Sequence, residues 1–513
     1  MTSPMGEAAA IQNQIEAARA AGQRGPLRAV IDIGSNSVRL VIYGGPERAP
    51  AAIVNEKVLC GLGRGLRATG RLGEEPMESA LGALSRYRRL LDGYVDIDVQ
   101  TVATSAVRDA DNSDAFLSAA AGLGVPVRVL TGREEGLYAG LGVLSAEPSA
   151  EGLVGDLGGG SLELMKIGRG APAAAIESLV LGPLRLMGEG LRLGEPALRA
   201  HIDATLKASI EAHDLRAETL YLVGGAWRNI ARVEMQLKDY PLAILHNFTM
   251  TKGDALALCR LVAGQSAGSL GKVPGVSRRR VEALPIAAVV LERLIEIAGV
   301  ERLIVSAAGV REGLLFDQLS AADRAADPLF VGLGAMAERL SPDVAFAAAA
   351  TDFTADLFSD ETPEDRRRRE AACAVCDIGA FWHPDHRGDL AYGHILRAPV
   401  TGFDHPSRVF AALAVFHRYE GRKAEPANFN EARLLDPGQR RRAMLLGLCL
   451  RFAGALAPKS AALLKKAKLT RAGDQLVLRL TNDAAALLGE TPDKRLTSLA
   501  DELGLEIVID VAT

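Results

Sequence analysis

The sequence is poor in cysteine, and this shortage excludes whole classes of protein. Its 5 cysteines are scattered over 513 residues, and only Cys373 and Cys376 lie close together. Because no second pair accompanies them, the ligand spacing of a zinc site is absent. Isolated thiols, without an apolar leader at the start of the chain, predict a protein of the reducing cytoplasm.

Long apolar runs and a strong excess of charge of one sign are also missing. No run approaches the ~20 apolar residues that a membrane-spanning helix needs, so we expect no membrane partner. The formal net charge of −4 excludes a generally basic protein, so we expect no nucleic acid either. The charge is uneven, because residues 364–513 hold 23 Lys and Arg against 19 Asp and Glu. A positive C-terminal part suits an anionic ligand.

The order of the predicted elements divides the chain into a tail and three domains. Residues 1–27 are rich in Ala, Gln and Gly and predict a flexible tail. Strands alternate with helices up to about residue 319, which predicts layered α/β structure, and helices dominate afterwards. Strand-like alternation returns at 475–480 and 506–511. The predicted domains are one α/β lobe over residues 28–151, a second over 152–319, and a helical domain with C-terminal strands over 320–513.

Two segments of similar sequence are the strongest signal in the chain. Residues 32–40 (DIGSNSVRL) and 156–164 (DLGGGSLEL) each place an Asp after an aliphatic run and before a small polar turn. This pattern predicts two β-hairpins whose tips carry a carboxylate, hydroxyl groups and bare backbone N–H groups. Such N–H groups bind phosphate oxygens, and the carboxylates can hold a divalent cation. The repetition predicts a duplicated fold that grips a polyanion between its halves.

Charged side chains beside other predicted turns are weaker candidates. Glu134 and Glu135 open a predicted helix, where carboxylates also stabilise the helix dipole without any further role. A catalytic role requires one of them to lie beside the phosphates and take a proton from water. Arg108 follows a buried strand, so it is either a surface arginine or a bidentate phosphate clamp. Five histidines between residues 383 and 417 suggest a metal cluster, although a solvated helical surface with local turns is favoured.

Five motifs in a fixed order resemble the exopolyphosphatase / guanosine pentaphosphate phosphohydrolase family. The motifs lie at residues 32–37, 103–108, 132–135, 156–163 and 307–313. The resemblance implies an actin-like (ribonuclease H-like) α/β core, in which two duplicated lobes surround a phosphate cleft. It also implies an all-α HD-like domain, a small C-terminal α+β segment and a homodimer. Members remove terminal phosphate from inorganic polyphosphate or pppGpp and use Mg²⁺.

The resemblance assigns roles to individual residues. Glu135 becomes the general base, and Arg108 clamps the terminal phosphate. Asp156 becomes a metal ligand, supported by Glu163 and Asp32. The hairpin tips hold phosphates through Gly34, Ser35, Asn36, Ser37, Gly158, Gly159, Gly160 and Ser161.

The helical domain departs from the metal-dependent HD phosphohydrolases that it resembles. Cys376 stands where the His of the His-Asp pair is expected, and residues 450–454 hold no later Asp. A cation site that lacks two ligands binds poorly. We therefore expect this domain to bind and position substrate rather than to catalyse.

The sequence leaves the substrate open. A long polyphosphate chain needs an extended basic track, whereas pppGpp needs a base pocket. Four basic clusters are candidates for the track, although a solvated helix face explains any single one better: residues 278–280, 366–369 and 440–442, and Lys465, Lys466 and Lys468. We predict an exopolyphosphatase, with a pppGpp 5′-phosphohydrolase as the alternative. A non-catalytic polyphosphate or alarmone binder and an ATP-dependent kinase on the same fold are further alternatives.

Overall fold

The structure is a computed structural model that describes residues 27–168, 171–188, 196–278, 280–422 and 429–511. The chain divides into two compact units between Pro328 and Leu329. The predicted tail lies outside the described residues except for its last residue, Leu27. Within the described ranges, no helix is both long and apolar enough to cross a membrane.

The first lobe is a five-stranded sheet with helices. Its strands are β1 (Arg28–Ile33), β2 (Val38–Gly44), β3 (Ala51–Val58), β4 (Asp98–Ala103) and β5 (Arg128–Val129). Their spatial order is β3-β2-β1-β4-β5, in which β1 pairs antiparallel with β2 and parallel with β4. The helices are α1 (Leu66–Thr69), α2 (Glu74–Leu91), α3 (Ser105–Arg108) and α4 (Ser113–Gly122).

The second lobe repeats this plan, which confirms the predicted duplication. Its strands are β6 (Gly152–Leu157), β7 (Leu162–Gly168), β8 (Ala171–Leu179), β9 (Thr219–Val223), β10 (Thr249–Thr251) and β11 (Arg302–Val305). They lie in the order β10-β11-β9-β6-β7-β8, and β6 pairs antiparallel with β7 and parallel with β9, as β1 does with β2 and β4.

Two helices connect the sheets, α5 (Gly132–Ala146) and α12 (Val310–Asp317). The second lobe also contains α6 (Pro183–Gly188), α7 (Pro196–His213), α8 (Gly225–Leu237), α9 (Lys252–Ala263), α10 (Ala267–Leu270) and α11 (Leu284–Ala298), and α13 (Ala321–Ala325) follows α12. Leu141 of α5 shares a core with Val30 of the first sheet, and Val143 shares one with Val154 of the second. A helix buried on both sides in this way places its first turn between the lobes.

Glycines let α5 and α12 cross at very short range. A Cβ on Gly142 would lie 2.1 Å from the carbonyl oxygen of Gly309, and one on Gly313 would lie 1.9 Å from that of Tyr138. Any side chain at these positions would separate the helices, because real Cβ atoms do not approach backbone oxygens so closely. The crossing therefore fixes where α12 leaves the second lobe and reaches β1.

The second unit is mainly helical and ends in a small sheet. Its helices are α14 (Pro328–Leu340), α15 (Ala345–Ala355), α16 (Pro363–Ala374), α17 (Arg387–Arg397), α18 (His405–Glu420), α19 (Pro437–Leu456), α20 (Ala461–Leu464) and α21 (Glu490–Leu503). Strands β12 (Ala467–Ala472), β13 (Gln475–Leu480) and β14 (Glu506–Val511) form the sheet. The two predicted strands are confirmed, whereas β12 was not predicted.

Candidate active site

The two predicted hairpins form tips of the same geometry. Gly34 N donates to Ser37 O at 3.0 Å, and Gly158 N donates to Ser161 O at 3.0 Å. Asp32 and Asp156 are the next-to-last residues of β1 and β6, so each lies one residue before the turn. The predicted phosphate-binding residues of both tips thus stand in equivalent positions of the two lobes.

The tips come together between the lobes. Ser35 Oγ lies 2.9 Å from Ser105 Oγ at the start of α3. A Cβ on Gly160 would lie 2.9 Å from that same Ser105 Oγ, and one on Gly159 would lie 3.4 Å from Ser35 Cβ. The second tip therefore lies directly against Ser35 of the first tip and Ser105 of α3, and the absence of a side chain at Gly160 leaves room for the Ser105 hydroxyl.

Two adjacent glutamates at the start of α5 have different roles. Glu134 is part of a capping box, in which its Oε2 accepts from Thr131 N at 2.8 Å and its backbone N–H donates to Thr131 Oγ1. Arg128 also donates to it. Glu135, by contrast, is buried and turned inward, where its Oε2 accepts from Arg108 Nη1 at 3.2 Å. The helix-capping alternative therefore applies to Glu134, and Glu135 is the carboxylate available for chemistry.

Burial raises the pKa of three neighbouring carboxyl groups. The pKa of Glu135 rises to about 7, through burial and then the charge of Asp156, while Arg108 opposes the rise. The pKa of Asp156 rises to about 6, mainly through burial, and Arg228 opposes it. The pKa of Glu163 lies well above its usual range, through burial and then the charges of Glu135 and Asp156. A carboxylate that titrates near neutrality is suited to take a proton from water.

Glu163 is held in place by the neighbouring strand. Its Oε1 accepts from Ser178 Oγ at 2.8 Å, and it sits directly opposite Asp156 in the β6–β7 pairing. Its Oε2 is buried without a hydrogen-bond partner among the residues that the structure describes. A buried, unsatisfied carboxylate oxygen costs free energy and indicates a ligand at this point.

The other predicted side chains are engaged by the protein. Asp32 Oδ2 accepts from Arg311 Nη1 at 3.1 Å, so α12 reaches back to the first hairpin. Arg108 donates to Leu130 O at 3.0 Å as well as to Glu135. The role of Arg108 as a phosphate clamp stays a prediction, and the contacts that the structure shows are with Leu130 and Glu135.

Glu135, Asp156 and Glu163 form an acidic centre. This centre fits a divalent cation but does not supply a complete set of protein ligands. In the described ranges, no group of three or more His, Cys, Asp or Glu side chains is placed to hold a metal ion. Mg²⁺ usually keeps several waters and takes one or two carboxylates beside substrate phosphates. Asp156 and the unsatisfied Oε2 of Glu163 offer such a partial set. The assignment of Asp156, Glu163 and Asp32 as metal ligands stays a prediction.

Sequence reasoning missed Arg39, Lys57 and Arg228 next to this centre, whereas Arg280 belongs to the predicted basic cluster at 278–280. Across the first sheet Asp32 pairs with Arg39, and Arg39 with Lys57 on β3. Arg228 donates to the backbone of Gly224 and Ala307, both at 3.0 Å. The guanidinium of Arg280 lies directly over Gly225, where a Cβ would fall 1.2 Å from Nη1. The sequence carried one signal for Arg39. This residue lies seven positions after Asp32, as Glu163 lies seven positions after Asp156.

Six residues of the predicted basic track form ion pairs with carboxylates. Arg369 pairs with Glu361 at 2.9 Å, and Lys468 pairs with Asp356 at 2.8 Å. Further pairs join Arg366 to Glu361, Arg368 to Glu364 and Asp365, Arg442 to Asp360, and Lys466 to Asp483. Arg368 and Arg369 are buried rather than solvated. Position 279 lies outside the described residues.

The five histidines of the helical domain do not form one cluster, although the ring centroids of His383 and His386 lie 5.8 Å apart. His383 is exposed, and His394 stacks on Trp382 with ring centroids 4.7 Å apart. The prediction of a solvated surface is wrong for His405 and His417. Both are buried, because α18 packs on most of its faces. His417 Nδ1 lies 2.8 Å from Gly421 O.

In the segment that resembles the His-Asp pair of HD phosphohydrolases, the Asp377 carboxylate accepts a hydrogen bond from Arg418. Asp377 is buried, and its Oδ1 accepts from Arg418 Nη2 at 2.7 Å. A guanidinium thus supplies the positive charge beside this carboxylate. The side chains of Asp377 and Arg418 are 4% and 8% exposed, so this is an interior ion pair.

The two lobes, with their paired hairpins and shared acidic centre, define an actin-like enzyme core that handles phosphate groups. Solved structures carry the same fold. A crystal structure of an exopolyphosphatase from Cytophaga hutchinsonii has a TM-score of 0.52 and 24% identity, and covers 56% of this chain and 96% of that one. The structure of the Aquifex aeolicus member of the Ppx/GppA family has a TM-score of 0.50 and 28% identity. The match covers 57% of this chain and 99% of that one.

The chain belongs to the Ppx/GppA phosphatase family, whose model matches residues 41–322. A second model, described as exopolyphosphatase, C-terminal, matches residues 340–509. Exopolyphosphatase 2 of Mycobacterium tuberculosis is 28% identical over 309 residues, which cover 56% of this chain and 96% of that protein. Guanosine-5'-triphosphate,3'-diphosphate pyrophosphatase of Aeromonas hydrophila is 27% identical over 430 residues, which cover 78% of this chain and 82% of that protein. The resemblance inferred from the motifs is thereby confirmed.

Proposed function

We propose that this phosphatase is an exopolyphosphatase, which releases terminal phosphate from inorganic polyphosphate. The observation that carries the proposal is Glu135, a buried carboxylate with a pKa of about 7 that stands between two phosphate-type hairpins. The likeness to Exopolyphosphatase 2 and the match of the exopolyphosphatase C-terminal model support this substrate.

The proposed reaction is in-line attack of water on the terminal phosphorus. Such transfer depends mainly on positioning and on neutralising charge, with little covalent chemistry. Backbone amides of the two tips hold the phosphates, and Glu135 accepts the proton of the attacking water. Arg108 fixes the Glu135 carboxylate through the 3.2 Å contact. We propose that Mg²⁺ is held by Asp156, with Glu163 and Asp32 in support, and when bound it supplies positive charge to the phosphate oxygens.

The direct test is phosphate release with Mg²⁺ from long-chain polyphosphate and from pppGpp at matched concentrations. Faster release from polyphosphate, one phosphate at a time, is the expected result. Faster release from pppGpp would assign the chain to the alternative function, and no release from either would contradict both.

Glu135→Gln tests the role of the base. We expect turnover to fall by about 10²–10⁴-fold, which is the usual contribution of a general base, while substrate binding changes only a few-fold. Glu134→Gln is the matched control, because Glu134 caps the same helix, and its loss should lower stability more than turnover. Equal loss of binding and turnover in Glu135→Gln would show that Glu135 holds structure instead.

The second candidate is a pppGpp 5′-phosphohydrolase. One observation favours it, since the likeness to the Aeromonas hydrophila pyrophosphatase extends over 78% of this chain and includes much of the helical unit. The same base and hairpins would serve this reaction, so the candidates differ in what lies beyond the terminal phosphate.

A further inference from the structure

A chain of alternating charges links the second lobe to Glu135. Arg185 of α6 places its Nη1 3.0 Å from Asp109 Oδ2. Asp109 Oδ1 lies 3.5 Å from Arg108 Nε, and Arg108 Nη1 lies 3.2 Å from Glu135 Oε2. Arg185 belongs to the second lobe, whereas Asp109 directly follows α3 of the first. The ion pair between Arg185 and Asp109 therefore joins the lobes close to the acidic centre.

Backbone hydrogen bonds fix both ends of this ion pair. In the second lobe, Leu184 N and Arg185 N donate to Gly159 O at 3.0 and 3.3 Å, so α6 is attached to the second hairpin tip. In the first lobe, Asp109 N donates to Ser105 O at 2.9 Å. Because these bonds involve only the backbone, a change of either charged side chain leaves them in place.

Arg108 lies between two carboxylates that compete for its guanidinium. Its distance to Glu135 is 3.2 Å, whereas its distance to Asp109 is 3.5 Å. An N–H···O hydrogen bond usually spans about 2.7–3.2 Å, so Glu135 is within this range and Asp109 is outside it. Arginine binds a carboxylate most strongly through two parallel hydrogen bonds, which require both carboxylate oxygens.

Arg185 keeps one oxygen of Asp109 occupied. Its Nη1 donates a charge-assisted hydrogen bond to Oδ2, which leaves Oδ1 to face Arg108. The side chains of Arg185 and Asp109 are 25% and 36% exposed, so water screens their attraction only in part. Without Arg185, the whole charge of Asp109 would act on Arg108 and draw it away from Glu135.

We propose that Arg185 is a positioning residue for the general base. By holding Asp109, it keeps Arg108 on Glu135. The proposal rests on the proposed function, in which Glu135 accepts the proton of the attacking water. It adds that the base is correctly oriented only where α6 of the second lobe meets the end of α3 in the first. Contact between the lobes and orientation of the base are thereby coupled.

Two substitutions test the proposal. Arg185→Met removes the guanidinium and keeps most of the aliphatic stem, and Asp109→Asn removes the competing charge. Arg293→Met is the matched control, because Arg293 is a second-lobe arginine with a side chain 20% exposed that donates to Asp203 at 3.1 Å. For the parent, each single variant and Arg185→Met/Asp109→Asn, kcat and KM of phosphate release are measured with tripolyphosphate and with pppGpp.

For Arg185→Met we expect kcat to fall about tenfold, within the usual range for coupled charges, while KM changes less than about twofold. In the Asp109→Asn background the same change should alter kcat by less than about twofold, because no competing charge is left. The double variant should therefore be faster than Arg185→Met alone. A merely structural loss would not be reversed by removing a second partner. Arg293→Met should resemble the parent.

Three results in an active enzyme would overturn the inference without touching the proposed function. These are an unchanged kcat for Arg185→Met, a tenfold fall that persists in the Asp109→Asn background, and a rise in KM alone, which would indicate direct contact with substrate. If the parent hydrolyses neither substrate, the proposed function fails, and crystal structures of the parent and Arg185→Met decide. Arg108 turned from Glu135 toward Asp109 would uphold the positioning role, and an unmoved Arg108 would reject it.

Discussion

At the scale of single residues, the contact between Arg108 and Glu135 predicts a pH effect. Glu135 must be deprotonated to accept a proton, so activity rises with pH through its pKa of about 7. The guanidinium of Arg108 lowers that pKa, so Arg108→Gln should move the acidic limb of the kcat/KM profile to higher pH by about one pH unit. Arg88→Gln, which removes an exposed arginine paired with Asp92, should leave the profile unchanged.

The same variant separates the two roles of Arg108. If Arg108 only positions the base, activity should largely recover at high pH. Loss of activity at every pH, with a higher KM, would instead indicate the phosphate clamp that the sequence predicts.

Glu163 makes a prediction about stability. Its pKa is raised in the folded protein, so the folded state holds the proton more tightly than the unfolded state, and stability falls as pH rises above the usual range of a glutamate. Glu163→Gln should therefore be inactive but melt about 2–4 °C higher at pH 8 in EDTA, as a gain of about 1 kcal/mol implies. The difference in melting temperature between Glu163→Gln and the parent should vanish near pH 4, where the glutamate is protonated and therefore as neutral as the glutamine. A lower melting temperature at pH 8 would show that the charged carboxylate stabilises the fold.

Individual site residues were predictable where the signal was local. Asp32 and Asp156 stand out because each follows an aliphatic run and precedes a small polar turn, and the structure confirms both hairpins. Lys57 gave no such signal. Its position beside Arg39 depends on the β2–β3 register, and its electrostatic interaction with Arg280 depends on the approach of two lobes.

At the scale of elements, the crossing of α5 and α12 predicts the effect of a single methyl group. Gly142→Ala would place a Cβ 2.1 Å from Gly309 O, so the helices must separate. We expect a loss of about 1–3 kcal/mol in the free energy of unfolding, measured by urea denaturation. Gly82→Ala in α2 is the matched control, because no heavy atom lies within 4 Å of its Cβ position. That control should gain about 0.4–1 kcal/mol through reduced entropy of the unfolded chain.

Elements with a strong local pattern were predicted closely. The strand expected at 475–480 is β13 (Gln475–Leu480), and the strand expected at 506–511 is β14 (Glu506–Val511). The missed strand β12 (Ala467–Ala472) carries Lys468 and Arg471 and has little apolar alternation. It pairs antiparallel with β13 across a two-residue turn at Gly473 and Asp474, so the missed signal was this glycine-containing hairpin turn.

At the scale of the whole molecule, the family structures predict that the two lobes act alone. The Aquifex aeolicus structure is covered to 99% by 57% of this chain, so a protein of that extent folds without further domains. We expect residues 27–328 to fold, as judged by circular dichroism, and to release phosphate from tripolyphosphate at a rate within a few-fold of the full chain. If the helical unit positions long chains, KM for long-chain polyphosphate should rise on truncation. An inactive, folded fragment would place part of the chemistry in residues 329–513.

The unlike rows of the two sheets divide the charges of the candidate site between the lobes. Glu163 and Asp156 belong to the second copy of the fold, whereas Arg39 and Lys57 belong to the first. We therefore expect hydrolysis to require one molecule that satisfies both halves at once, so that the two lobes act together as a coincidence detector. We expect a free phosphate ion, which satisfies only one half, to be bound weakly.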